Sequence, residues 1–248
     1  MRKINSLLVL ILISLILLSA ASIAFSQPSK KTLELGEFKS IYVNSGYTVM
    51  LKQTNKQEVV VEALSEIMEL SEFKVENGIL MISIERKPEA TNKSIWSKID
   101  DIKVNPTMKV YVSMKNIAEL QVNGAGKIVS ENSLASDQLV LGISGSGTMD
   151  VDIKGNVVKA ELSGSGTLTL RGYATSLDAS LSGNGNLKGF DCPIEAGKIK
   201  VTGSGSAELN VTATAEAFVY GSGSIKLKGN TKELTKKVYG TGTVDRAY

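Results

Sequence analysis

The sequence predicts an all-β fold, a parallel β-helix with a less regular β cap at its N-terminal end. Two observations predict it. A Gly-X-Gly motif recurs seven times at spacings of 18 to 21 residues, and apolar residues stand at fixed offsets from each copy. A constant period near 20 residues is the signature of a repeat architecture. We predict that the motif glycines form the structural corners of stacked coils. These glycines are Gly124, Gly126, Gly145, Gly147, Gly164, Gly166, Gly183, Gly185, Gly203, Gly205, Gly221, Gly223, Gly240 and Gly242.

Each corner is flanked by positions that are apolar in every copy. Two residues before the first glycine stand Val122, Ile143, Leu162, Leu181, Val201, Val219 and Val238. Four residues after it stand Ile128, Met149, Leu168, Leu187, Ala207, Ile225 and Val244. Polar residues alternate with these positions, and a period of two is typical of a half-buried strand. Each unit therefore consists of a strand, a corner, a second strand and a variable return segment.

A unit of this length cannot bury its own apolar edge, so it must stack on its neighbours. Equivalent strands then pair in parallel, and seven coils make a rod roughly 30 Å long. Glycine suits a tight corner because a positive φ costs it little. The outward residues five positions after the first glycine predict opposite charges on adjacent coils. In successive copies they are Thr169, Lys188, Glu208, Lys226 and Asp245.

The N-terminal half is also predicted to be β, but without a regular period. Residues 41–43 and 48–51 predict two strands around a corner at Gly46, and residues 58–63 predict another strand. Residues 73–82 predict a hairpin, because an Asn-Gly pair suits a type I′ turn.

Residues 87–106 are polar and predict a long loop that carries the only tryptophan, Trp96. Strands over residues 108–114 and 117–122 then lead into the first regular coil. We therefore assign residues 27–115 to the cap and residues 116–248 to the β-helix, and we expect residues 27–248 to form one continuous domain.

Residues 1–26 have the pattern of a secretory signal peptide. Arg2 and Lys3 supply the positive start, residues 7–18 are apolar, and small residues follow. We predict cleavage after residue 26. The alternative is an uncleaved anchor, since residues 4–25 could nearly span a bilayer. The protein is therefore expected to be exported to the periplasm, the cell surface or the medium.

The order of these features resembles the bacterial family described as putative auto-transporter adhesin, head GIN domain. The residues that carry the resemblance are 41–43, the hairpin segment 77–82, the entry segment 122–126 and the later Gly-Ser-Gly corners. The resemblance covers about residues 38–243. It implies a right-handed parallel β-helix on an exported protein, and it brings no catalytic residues.

Composition excludes several kinds of chemistry. Histidine is absent from the sequence, which excludes Ser-His-Asp and Cys-His sites and nearly all zinc sites. Every corner has a middle residue without a carboxylate, whereas calcium-binding β-helix repeats need aspartate there. We predict no metal and no cofactor.

Cys192 is the only cysteine, so it cannot form an internal disulfide, and we interpret it as a packed or surface thiol. A net charge of +3 does not indicate that the chain binds nucleic acid.

Two function classes remain. The first is a non-enzymatic exported module of the cell envelope or the medium, which serves adhesion, binding or scaffolding. The alternative is a carbohydrate-active enzyme, a polysaccharide lyase or hydrolase, because carboxylates and basic residues alone can support that chemistry. Asp150 and Asp152 would be its candidates, since residues two apart on a strand face the same way. Their simpler interpretation is a solvated outer face, and we predict no enzyme.

The candidate binding face consists of Phe218, Tyr220 and Tyr239. The last two copies place tyrosine one residue before the first glycine, where earlier copies have asparagine, serine or threonine. Exposed aromatic side chains on one face can mark a surface for a partner protein or a glycan. The alternatives are that a C-terminal segment covers these rings or that they fasten the last coil. The expected partner is a glycan or a surface protein. A further possibility is self-assembly into a homo-oligomer through the open end near Tyr248. Neither nucleic acid nor a membrane span is expected after signal cleavage.

Overall fold

The computed structural model describes residues 28–84 and 107–247. Within them 75% of the residues are in strands and 3% are helical, and the chain forms a β-solenoid of about seven turns. The predicted all-β solenoid is therefore confirmed. The predicted signal peptide, residues 1–26, and the whole of the predicted loop 87–106 with Trp96 lie outside the described residues.

The described chain contains one short helix and a single curled sheet of 17 strands. In chain order the elements are β1 (Ser29–Leu33), β2 (Ser40–Asn44), β3 (Thr48–Gln53), β4 (Glu58–Ala63), α1 (Ser65–Glu69), β5 (Ser71–Glu76), β6 (Ile79–Ile84), β7 (Met108–Met114), β8 (Glu119–Gly124), β9 (Lys127–Ser130), β10 (Leu134–Gly145), β11 (Thr148–Gly164), β12 (Thr167–Gly183), β13 (Asn186–Gly203), β14 (Ser206–Gly221), β15 (Ser224–Lys228), β16 (Glu233–Gly240) and β17 (Thr243–Arg246).

The repeat region pairs in parallel with the register that the motif predicts. The first glycines of successive corners are direct partners, from Gly124 and Gly145 through to Gly221 and Gly240. The charged column also forms, because Lys188, Glu208 and Lys226 are successive partners. We call one turn of the solenoid a rung.

The corners need glycine for two reasons, as Gly164 illustrates. Its φ is 112°, in a region that side-chain-bearing residues rarely adopt. A Cβ at this position would also lie only 2.6 Å from the carbonyl oxygen of Gly145 on the preceding rung. The repeated glycines therefore allow identical corners to stack at the spacing of a parallel sheet.

The return segments are themselves strands, which the sequence pattern does not indicate. β11 continues from one corner to the next, and its residues Lys154, Gly155 and Val157 pair with β12. The pairing of β13 with β14 shifts register between Gly189 and Pro193. Such β-bulges accommodate the extra residues of the longer units, so the corners stay aligned while the unit length varies.

The core is a set of apolar columns that run along the rod. Val201 and Val219, for example, are successive partners and both are fully buried. Cys192 is also buried, as one of the two alternatives for this residue predicts. Burial, with a smaller contribution from the negative charge of Asp152, raises the pKa of its thiol to about 12. The side chain is therefore a neutral part of the core.

At the N-terminal end the chain does not follow sequence order. β2 and β3 pair in parallel with β8 and β9 on one side and with β6 and β7 on the other. Antiparallel strands complete this end, since β5 pairs with β6, β4 with β7 and β1 with β4. The predicted hairpin is the β5–β6 pair, with φ values of 52° at Asn77 and 76° at Gly78. No helix in the described part of the chain is both long and apolar enough to cross a membrane.

Candidate functional site

The two tyrosines of the predicted binding face form a stacked pair on the surface. Tyr220 and Tyr239 are register partners on β14 and β16. Their ring centroids are 5.1 Å apart and the ring planes differ by 8°. They are 40% and 58% exposed, so the described chain leaves both rings in contact with solvent. Stacking follows from the register, because parallel strands place equivalent side chains one rung apart.

Phe218 lies one outward position earlier on β14 and is half-buried. Its register partners are Lys200 on one side and Lys237 on the other. The phenyl ring is therefore flanked by two basic side chains, and it does not extend the tyrosine stack. We use the name aromatic face for Phe218, Tyr220 and Tyr239.

Lys200 completes the stack on the side away from Tyr239. Its Nζ lies 5.4 Å from the ring centroid of Tyr220, which is within the range of a cation–π contact. Tyr220 therefore has a cation on one ring face and Tyr239 on the other. The second ring face of Tyr239 has no aromatic or cationic partner among the described residues. This free face, together with the exposed edges of both rings, can contact a ligand.

Small hydroxyl side chains continue the tyrosine column toward the N-terminus. Ser163, Ser182 and Thr202 are successive partners, and Thr202 pairs directly with Tyr220. The outward column four residues earlier on each strand, beyond the column of Phe218, has charges of alternating sign, as the pairs of Asp178 with Lys198 and of Lys198 with Glu216 show. The outer surface next to the aromatic face thus offers hydroxyl groups and balanced charge. Such groups can hydrogen-bond to a polar ligand.

Asp150 and Asp152, the candidates of the enzyme alternative, both lie on the outer side of β11 and both are half-buried. Asp150 forms an ion pair with Arg171 on the next rung. Asp152 accepts a hydrogen bond from the Ser133 hydroxyl and is the register partner of Arg171. Each carboxylate is therefore engaged in holding neighbouring segments together. Among the described residues no three acidic or cysteine side chains are grouped so that they could hold a metal ion.

Comparison with known proteins identifies the family. The family model described as putative auto-transporter adhesin, head GIN domain, matches residues 37–231. The chain belongs to this family. The match includes Phe218 and Tyr220, whereas Tyr239 and the strands β16 and β17 follow it.

Several solved structures share the fold of this GIN-domain protein. One is a putative adhesin from Bacteroides fragilis NCTC 9343, with 22% identity, coverage of 89% of this chain and 97% of that one, and a TM-score of 0.79. A putative adhesin from Parabacteroides distasonis ATCC 8503 has 21% identity, coverage of 90% and 98%, and a TM-score of 0.70. A putative lipid binding protein from the same strain has 19% identity, coverage of 90% and 98%, and a TM-score of 0.69. No curated protein matches. At these identities the likeness shows the fold alone.

The GIN-domain protein also has a polar cleft that the sequence does not indicate. It encloses about 610 Å³ at the N-terminal end and is lined by Glu37, Phe38, Lys39, Ser40, Asn55, Gln57, Asn77, Gly78, Lys115, Asn116 and Ala118. These residues come from four turns that are far apart in the sequence. Only the tertiary fold brings them together, so no motif or period could predict the cleft.

Proposed function

We propose that this GIN-domain protein is a non-enzymatic, exported adhesion module that binds a glycan through its aromatic face. The observation that supports the proposal is the solvent-exposed stack of Tyr220 and Tyr239, in which no aromatic or cationic side chain of the described residues covers the second ring face of Tyr239. Each tyrosine side chain combines a large apolar ring with a polar hydroxyl, and this combination suits the mixed surface of a sugar. The family to which the chain belongs is described as putative auto-transporter adhesin, head GIN domain, and this description supports the same class of role.

The solenoid explains why such a face would be effective. The two rings sit on adjacent strands of a continuous sheet, so their spacing is fixed by backbone hydrogen bonds. A rigid face loses little conformational entropy when it binds a ligand. The neighbouring hydroxyls of Thr202 and Ser182 lie on the same outer side and can contact further sugar units. A linear glycan that runs along the rod fits this arrangement.

The test is binding to a panel of immobilised bacterial and host polysaccharides. We expect Tyr220→Ala with Tyr239→Ala to weaken binding about tenfold, since each aromatic contact contributes roughly 0.5–1.5 kcal/mol. Tyr173→Ala is the matched control, because Tyr173 is 52% exposed and lies outside the aromatic face. Circular dichroism would confirm that all variants keep the fold.

Unchanged binding in the folded double variant would refute the role of the aromatic face. Turnover of any bound polysaccharide would refute the non-enzymatic assignment. Export is tested separately by protease treatment of intact cells, in which an adhesion module must be accessible from outside. Protection from the protease would place the protein inside the envelope and contradict adhesion.

A further inference from the structure

The C-terminal end of the solenoid has strands that pair on one side only. We call β16 and β17 the terminal rung. Among the described strands β16 pairs in register with β14 and β17 with β15, and neither has a second register partner. The outer edge of each strand therefore presents backbone N–H and C=O groups that can accept another strand.

The apolar columns of the core reach this edge partly uncovered. Val238 is 38% exposed, whereas its partner Val219 on the preceding rung is fully buried. Leu234 is half-buried above the buried Ala215. An added strand would cover these side chains and gain the free energy of burying apolar surface.

Two cations occupy core columns in the terminal rung. Lys236 follows Ala217 in a column whose earlier members are small or apolar and buried. Arg246 follows Leu227 in the corresponding column on the other side. The guanidinium donates a hydrogen bond to the carbonyl oxygen of Thr231 at 3.3 Å, while Lys236 is exposed. A strand that covered Lys236 without a counter-charge would bury an unpaired ammonium group, which is costly.

The whole terminal region has a basic character. Residues 228–247 contain five basic side chains and two acidic ones. The sign of the local field therefore favours an acidic partner and opposes a basic one.

The same charges disfavour a second copy of this chain as the partner. If two β16 edges paired antiparallel with their apolar columns aligned, Leu234 would face Val238 of the copy. Lys236 would then lie directly opposite the same lysine of the copy. Like charges that face each other across strands are destabilising, and their burial adds a desolvation cost.

We propose that the terminal rung is an acceptor edge for an extended acidic strand of another protein, which places a carboxylate against Lys236. The strand adds to β16 by backbone hydrogen bonds, a known mode of peptide recognition. Selectivity comes from Lys236, which attracts an acidic residue and excludes a second copy. This site differs from the aromatic face, although the two adjoin at Tyr239 on β16.

The probe is a synthetic peptide of the same eight-residue length as β16, built from threonine and valine, with glutamate at the position that faces Lys236. A control peptide has lysine at that position. Titration followed by backbone amide NMR would give both affinities and the site. We expect the glutamate peptide to bind about tenfold more tightly than the lysine peptide, with shifts concentrated on β16.

Two variants with the same change in net charge make the test specific. Lys236→Glu should reverse the preference between the peptides, whereas Lys237→Glu, on the outward side of the same strand, should preserve it. Lys236→Val should allow self-association, and the wild-type chain should stay monomeric in sedimentation velocity. Equal affinity for the two peptides, no binding of either, the same response of both glutamate variants, or a wild-type dimer would each overturn the proposal. Glycan binding by Lys236→Glu should be unchanged, which separates this test from that of the aromatic face.

Discussion

The two ends of the solenoid terminate the same apolar core in different ways. At the N-terminal end, β5 and β4 run antiparallel to the rungs, β1 adds antiparallel to β4, and α1 buries Ile67. At the C-terminal end, the parallel rungs continue to the terminal rung, where Lys236 and Arg246 replace apolar residues in core columns. A stacked repeat could continue indefinitely, so each end needs a structure that stops further stacking. The N-terminal end buries additional apolar side chains, and the C-terminal end places charged side chains in the core columns.

Substitution of a tyrosine at each end should give the largest difference in the free energy of unfolding. Tyr47 is fully buried, its ring contacts Phe73 at 5.6 Å between centroids, and its hydroxyl lies 2.8 Å from that of Ser71. Tyr47→Ala should lower the free energy of unfolding by about 3–5 kcal/mol, because it leaves a cavity. Tyr239→Ala should lower it by about 1 kcal/mol or less, since the ring loses mainly one stacking contact. Urea unfolding followed by circular dichroism measures both, and equal losses would contradict the comparison.

A matched pair of valines tests the same comparison within one core column. Val43 is the partner of Val122 near the N-terminal end, and Val238 ends that column at the other. Val43→Ala should reduce the free energy of unfolding by about 2 kcal/mol, because the side chain is fully buried. Val238→Ala should reduce it by less than about 0.5 kcal/mol, as expected for an exposed position. A larger loss for Val238 than for Val43 would show that the terminal rung is covered in solution.

The smallest expected effect is a change of stability with pH through the ionisation of Glu62. The Tyr111 hydroxyl donates a 2.8 Å hydrogen bond to Glu62 in the N-terminal cap, and with the nearby Lys30 it lowers the pKa of this carboxyl below its ordinary value. The contribution of ionised Glu62 to the stability of the fold is therefore complete above the ordinary glutamate pKa, about 4.3. It is lost as the pH falls through the lower pKa of the folded state.

Tyr111→Phe removes this hydrogen bond from the cap. We expect its urea midpoint to lie below that of the wild type at about pH 7 and to approach it toward about pH 3. Tyr239→Phe at the other end is the control, with a difference that should not change with pH. A constant difference for Tyr111→Phe would assign the effect to packing instead of ionisation.

The sequence predicts the repeat region well because the same physical constraint recurs in every unit. The need for glycine at each corner fixes the register, and the register alone places Tyr220 against Tyr239. The N-terminal order could not be predicted, since the pairing of β2 with β8 has no periodic signal. The contact of Lys200 with Tyr220 was also missed, because it runs diagonally between adjacent rungs. Lys236 was missed although a signal exists, since the residue four positions before the first glycine is apolar in every earlier copy.

The placement of β2 and β3 between later strands has a consequence for how the rod assembles. Asn44 at the end of β2 contacts Asn123 at the end of β8, and 79 positions separate them along the chain. Closing so long a loop costs entropy before any pairing compensates for it, and such non-local contacts slow folding. The rung that contains β2 and β3 is therefore less suited to nucleate the solenoid than the regular rungs, whose partners are about 20 residues apart. We expect the regular rungs to fold first. The strands β2 and β3, which are synthesised before them, should pair last.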